Sequence, residues 1–132
     1  MRTLLFSLIL ILSGLSVRAD ETSIQTVIQS QITAFQQDDF ATAFTYASPT
    51  IRQLFGTPER FGMMVRQGYP MVWRPGQVDF LPLKTEPNRT LQDVMITDQT
   101  GVVHMLRYTM IEGEISWLIN GVQVLRAPQA GA

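Results

Sequence analysis

Trp73-Arg74-Pro75-Gly76-Gln77-Val78-Asp79-Phe80 is the stretch at which the apolar residues of this chain change their spacing. Before it, Phe61, Met64 and Val65 fall at helical intervals that stop at Gly68. After it, Val78 and Phe80 alternate with polar neighbours, and Leu91, Asp93 and Met95 alternate with Gln92, Val94 and Ile96. A period near 3.6 turns one face of a helix toward a core, and a period of 2 does the same for a strand. Helices grouped first and strands grouped second predict an α+β domain, not alternating βαβ units.

Upstream of the switch, Ile24, Val27, Ile28, Ile32 and Phe35 make an apolar stripe among glutamines and threonines, predicting a long amphipathic helix over 22–37. Asp38 and Asp39 interrupt it, where a carboxylate suits a helix end, and Asp39 is placed to cap a second helix carrying Phe40, Ala43, Phe44 and Ala47. Ser48-Pro49 and Thr57-Pro58-Glu59 repeat one start signal, an N-cap hydroxyl followed by a proline in the first turn. The first closes at Gly56 and the second at Gly68, so three or four helices come first.

Downstream, Pro87-Asn88-Arg89 and Asp98-Gln99-Thr100-Gly101 are turn clusters, and Glu112-Gly113-Glu114 supplies another glycine between strands. Asn120-Gly121 reads either as a hairpin turn or as a bulge in one final strand, since only Val122 to Leu125 follow as apolar-rich sequence. Four or five antiparallel strands result, with 127–132 expected to be a flexible tail.

The start of the chain is of a different kind. Met1-Arg2 is basic, Leu4 to Leu12 is apolar apart from Ser7, and Val17-Arg18-Ala19 puts small residues where a signal peptidase reads. Cleavage between Ala19 and Asp20 is expected, giving a signal peptide over 1–19, one domain over 20–126 and a periplasmic or secreted product. The apolar run to Leu15 is short of the ~20 residues that cross a bilayer, so no membrane attachment is expected after cleavage. Removing 19 of the 132 residues leaves 113, and losing Arg2 and Arg18 leaves eight basic against eleven acidic residues, a formal charge of −3. With Lys84 as the single lysine, neither nucleic acid nor an anionic membrane face is an expected partner. The absence of cysteine excludes disulfides, thiol catalysis and thiolate metal sites, and a single histidine, His104, excludes a multi-histidine metal centre. No cofactor is expected.

The order of long helix, short helix through Ala34 to Phe44, and antiparallel strands resembles the superfamily named after nuclear transport factor 2. There a curved sheet wraps the long helix into a cone. Ala47-Ser48-Pro49, Phe55-Gly56-Thr57-Pro58-Glu59-Arg60-Phe61, Met64-Val65-Arg66-Gln67-Gly68-Tyr69-Pro70 and Trp117-Leu118-Ile119-Asn120-Gly121-Val122 resemble, more narrowly, a family of small exported bacterial proteins known as a domain of unknown function. The resemblance implies a cone-shaped α+β fold and no activity. Superfamily enzymes hold acid–base residues inside the cone, and their motifs have no match in this sequence.

Residues with chemistry to offer are few. Tyr69, Trp73 and Arg74 stand in the helix-to-strand connection, where two amphipathic aromatics and a planar cation suit a binding rim; packing of both rings against the end of the core is the structural alternative. His104 and Tyr108 share one strand face with Leu106 and Met110, while Val103, Met105 and Ile111 take the other; both faces are partly apolar, and the imidazole reads either as a general base or as a hydrogen-bonded packing residue. Asp93, on the Leu91 and Met95 face, is either a desolvated base or a solvated strand-end acid. Trp117, between Ile115 and Ile119, reads as core. No convergent catalytic set emerges. The expected function is therefore a non-catalytic module binding a small apolar ligand or a protein, with a homodimer through the sheet face as a further expectation. The competing expectation is an isomerase- or hydratase-like enzyme using His104 or Asp93 with Tyr108 or Tyr69.

Overall fold

The computed structural model describes residues 12–125, with side chains from residue 20 onward. The expected leader falls outside these residues apart from the backbone of 12–19, and the expected tail lies outside them altogether. Helix α1 (Leu12–Gln36) begins well before Thr22, since no proline interrupts the chain there, and its stripe is buried at Ile24, Ile28, Ile32 and Phe35. It ends in a double reverse bond: the Asp38 amide donates to Phe35 O at 3.0 Å and the Asp39 amide to Ala34 O at 2.9 Å. Asp38 takes a left-handed φ of 55°, a conformation that Asp tolerates better than most side chains.

The next helices start where the capping residues predict. Asp39 Oδ1 accepts from the Thr42 amide at the head of α2 (Phe40–Thr45), and Ser48 Oγ from the Ile51 amide at the head of α3 (Pro49–Phe55). Thr57 Oγ1 accepts from the Arg60 amide at the head of α4 (Pro58–Gly68). Gly56, at φ 80°, ends α3 in a conformation that a side chain would strain. The stretch expected as a plain connection contains one more turn, α5 (Pro70–Trp73), which Pro70 pre-sets at its first position.

Five antiparallel strands follow: β1 (Pro75–Phe80), β2 (Lys84–Glu86), β3 (Arg89–Asp98), β4 (Val103–Glu112) and β5 (Trp117–Leu125). They form one open sheet in the order β1-β3-β4-β5, with β2 also on β3. Strands β1 and β2 act as a single edge broken at 81–83, where Pro82 lacks a donor. Two bulges bend the sheet. One is at Gly76, where a Cβ would lie 2.9 Å from Asp98 O. The other is at Asn120, an extra residue between the pairs Thr109–Gly121 and Met110–Ile119. The Asn120-Gly121 alternatives thus resolve to a bulge, because strand pairing with β4 continues through it.

Register assigns the two faces. Val94 lies opposite Leu106, Ile96 opposite His104, and Gln92 opposite Tyr108, which lies opposite Val122. This face packs on the helices, and its Val94, Ile96, Leu106, Tyr108 and Met110 join the α1 stripe in one core. Burial of this kind stabilises by roughly 25 cal/mol per Å² of apolar surface, which is the main force holding a cysteine-free chain together. The α2–α3 junction is fastened to β5 by the Ser48 amide donating to Ile119 O at 2.8 Å and the Ile119 amide donating to Tyr46 O at 2.9 Å.

Candidate functional site

The inner face of β4 and β5 does not meet the helices everywhere. Between it and α3, α4 and α5 lies a cavity of about 210 Å³, its walls apolar except for Gln31, Tyr69 and Tyr108. Ile51, Leu54 and Phe55 of α3 line one side, and Phe61, Met64 and Val65 of α4 another. Tyr108, Ile119, Gly121 and Val122 of the sheet close it from below. The space exists for two local reasons. Helix α3 buries no residue of its own, so it roofs the gap without filling it. The bulge in β5 brings Gly121, which has no side chain, to the wall. Leu54 stands 72% exposed at the rim.

Three polar groups give this cavity its chemistry. Gln31 occupies a position of the α1 stripe, is buried, and donates from Nε2 to Ala43 O at 3.1 Å. The Tyr69 hydroxyl donates to Val122 O at 3.2 Å. Tyr108 is fully buried, and its hydroxyl has no hydrogen-bond partner among the described residues. Burial pushes the Tyr108 phenol well above its ordinary pKa, and the nearby Tyr69 phenol adds to the rise. Tyr108 is therefore a neutral phenol at any physiological pH, with a donor unused by the fold.

A model of the family described as "Domain of unknown function (DUF4864)" matches residues 17–132. The chain belongs to this family. No curated protein and no solved structure matches it.

In this family member the five residues singled out by sequence separate into three places. Tyr69 and Tyr108 meet at the cavity. Trp73 and Arg74 do not reach it: the Trp73 indole Nε1 donates to Asp38 Oδ1 at 2.8 Å, and Arg74 Nη2 donates to both Asp38 oxygens at 3.1 Å. The Arg74 and Arg66 guanidinium carbons lie 4.0 and 4.9 Å from the Trp73 ring centroid. The indole donor and the fork of Arg74 hold the Asp38 carboxyl below its usual range. These groups are thus engaged in tying the end of α1 to the start of the sheet.

His104 takes the third place. It shares the inner face with Tyr108 but sits near the β3–β4 turn, its Nε2 2.9 Å from Asp98 Oδ2. Asp98 Oδ1 accepts from the amides of Thr100 and Val102 and from Thr100 Oγ1, so one carboxylate organises the turn and orients the imidazole. The bond to His104, followed by those of the turn, draws the Asp98 carboxyl far below its usual pKa.

Asp93 fits neither alternative read from the sequence. It lies mid-strand, its side chain 5% exposed, on the outer face. Arg107 Nε and Nη2 donate to its two oxygens at 2.8 and 3.0 Å, and Lys84 Nζ donates at 2.9 Å. The Arg107 bonds, then those of Lys84, outweigh burial and lower its pKa instead of raising it. Asp93 and Tyr108 point to opposite faces of the sheet, so they form no acid–base pair.

The sequence assigns no site role to Gln31, Phe61, Met64, Val65 or Val122. Gln31 carried a signal: it falls at the i+4 position from Val27 and i−4 from Phe35, a polar side chain within an apolar stripe. The others look like core at the sequence level, and only the unfilled volume beside them distinguishes them.

Proposed function

We propose that this chain is an exported, non-catalytic binding module, with the cone-like build of the nuclear transport factor 2 superfamily, that takes a small apolar molecule into the cavity between α3, α4 and the sheet. The carrying observation is a cavity of about 210 Å³ whose only polar side chains, among the described residues, are two tyrosines and a glutamine. For scale, an engineered apolar cavity of about 150 Å³ accepts benzene. A ring with a short substituent, or a short aliphatic chain, matches the space. The separation of His104 and Asp93 from the two tyrosines supports binding without catalysis, since proton transfer needs its groups within hydrogen-bond reach of one substrate. The basic start, apolar run and small-residue exit of 1–19 support export to the periplasm.

The test is a calorimetric titration of the chain beginning at Asp20 with n-propylbenzene, a neutral molecule of the size the cavity accepts. Saturable one-to-one binding, abolished by Ile51→Trp in the cavity lining, is the expected result. Unsaturable or absent binding to wild-type protein removes the binding reading.

A homodimer through the outer face of the sheet is a second proposal. Met95, Met105 and Leu125 lie directly opposite one another across β3, β4 and β5, and Val103 beside them is 41% exposed. Such an apolar row suits a partner surface. Sedimentation velocity at micromolar concentration is expected to show a dimer that Met105→Lys converts to monomer; a wild-type monomer ends this proposal and leaves the cavity reading untouched.

A further inference from the structure

We infer that the cavity selects an uncharged, mostly apolar molecule carrying one acceptor oxygen, such as a ketone, ester or ether, and that the Tyr108 hydroxyl is the donor that recognises it. This deepens the binding reading and rests on it. Four observations combine. Among the described residues no charged side chain lines the cavity, so an anionic or cationic ligand would be buried there without a counter-charge. Tyr108 lines it, is fully buried, and its hydroxyl has no partner among the described residues. A buried donor left unpaired is destabilising, and phenylalanine would fill the same space without that cost. Finally, the neighbouring Tyr69 hydroxyl is already committed to Val122 O, and Gln31 Nε2 gives one of its two N–H groups to Ala43 O. Of the two phenols in the wall, Tyr108 is the one with a donor to give.

Position supports the assignment. Tyr69 and Val122 both line the cavity, and the Tyr108 phenol lies close enough to that of Tyr69 to be raised by it. Tyr108 also stands directly across from Val122 in the β4–β5 register. The hydroxyl is set within the wall and shielded from water, so a ligand oxygen reaches it by pressing wall side chains aside. The unbranched thioether of Met64, on the α4 side, lets the lining adapt to a ligand. The phenol stays protonated, so it donates and does not attract a cation.

The experiment is calorimetric titration with three compounds of similar size: 1-phenylpropan-1-one, n-propylbenzene and 3-phenylpropanoate. Comparing wild type with Tyr108→Phe cancels their different affinities for water. The ketone is expected to lose about tenfold in affinity in the variant, the worth of one neutral hydrogen bond, while the hydrocarbon changes little. The carboxylate is expected not to bind at pH 7. A separate readout needs no variant: the carbonyl infrared band of the bound ketone moves to lower wavenumber relative to the same ketone in hexane. An equal response of ketone and hydrocarbon to the variant, an unshifted band, or binding of the carboxylate each overturns the inference while leaving the cavity reading in place. Failure of both ketone and hydrocarbon to bind wild type overturns the cavity reading itself.

Discussion

At the scale of single residues, two buried polar groups on one sheet behave in opposite ways, because one has partners and the other has none among the described residues. Asp93 is ringed by Arg107 and Lys84, and its pKa is lowered. A depressed carboxylate contributes stability that is fully present above its unfolded pKa, near 3.8, and that is lost as pH falls through the folded value. Asp93→Asn is therefore expected to destabilise by about 2 kcal/mol at pH 7, less than a fully buried pair because both cations reach solvent. It is also expected to flatten the loss of stability below pH 4, which urea melts over a pH series would show; an unchanged acid limb would be the contrary result. Tyr108 has the reverse sign. Tyr108→Phe removes an unpaired hydroxyl and is expected to raise stability by up to about 1 kcal/mol, read as a higher midpoint in the same melts. A lower midpoint would mean that the hydroxyl has a partner in solution.

Among elements, α3 is the one whose place is set by its ends and not by its middle. It buries no residue. Ser48 holds it twice over: its side chain caps the helix, and its hydroxyl donates to Asn120 Oδ1 at 2.8 Å, joining the roof of the cavity to the bulge in its floor. Ser48→Ala is expected to cost about 1–2 kcal/mol, the upper range for an N-cap, and to speed amide exchange in α3 ahead of the strands. Uniform exchange across both would show that α3 is held by other contacts. Gly56 at φ 80° makes a companion case, where Gly56→Ala strains the exit without touching any neighbour. At the other end of the helical half, the Asp38 ties to Trp73 and Arg74 turn a sequence that resembles a binding rim into a brace.

For the whole molecule, one apolar interior carries the fold, and truncating its centre should unfold it in a single step. Ile28 is wholly buried, so Ile28→Ala is expected to cost about 2–5 kcal/mol and to shift thermal melts of helix and sheet signals together. Divergent transitions would reveal two independently stable halves. Much of this architecture is legible along the chain, because its signals are local: the Ile24-to-Phe35 stripe, the Ser48-Pro49 and Thr57-Pro58 caps and the alternation after Gly76 each act within a few residues of backbone. The bulge at Asn120 could only be chosen over a hairpin once β5 was seen paired with β4 along its length. The site was half legible. Tyr69 and Tyr108 stand out as amphipathic aromatics, yet nothing near them in sequence separates them from Trp73, whose indole is consumed by a carboxylate 35 positions away. Asp93 misleads for the same reason, since Arg107 finds it across a strand pair. The sequence alone determined the helical and sheet halves, the cysteine-free chemistry and the scarcity of charge that any pocket could use. Tertiary structure alone decided where volume was left unfilled and which polar groups lacked partners. Both depend on the register and closure of segments far apart in the chain, and no short-range preference of the backbone encodes them.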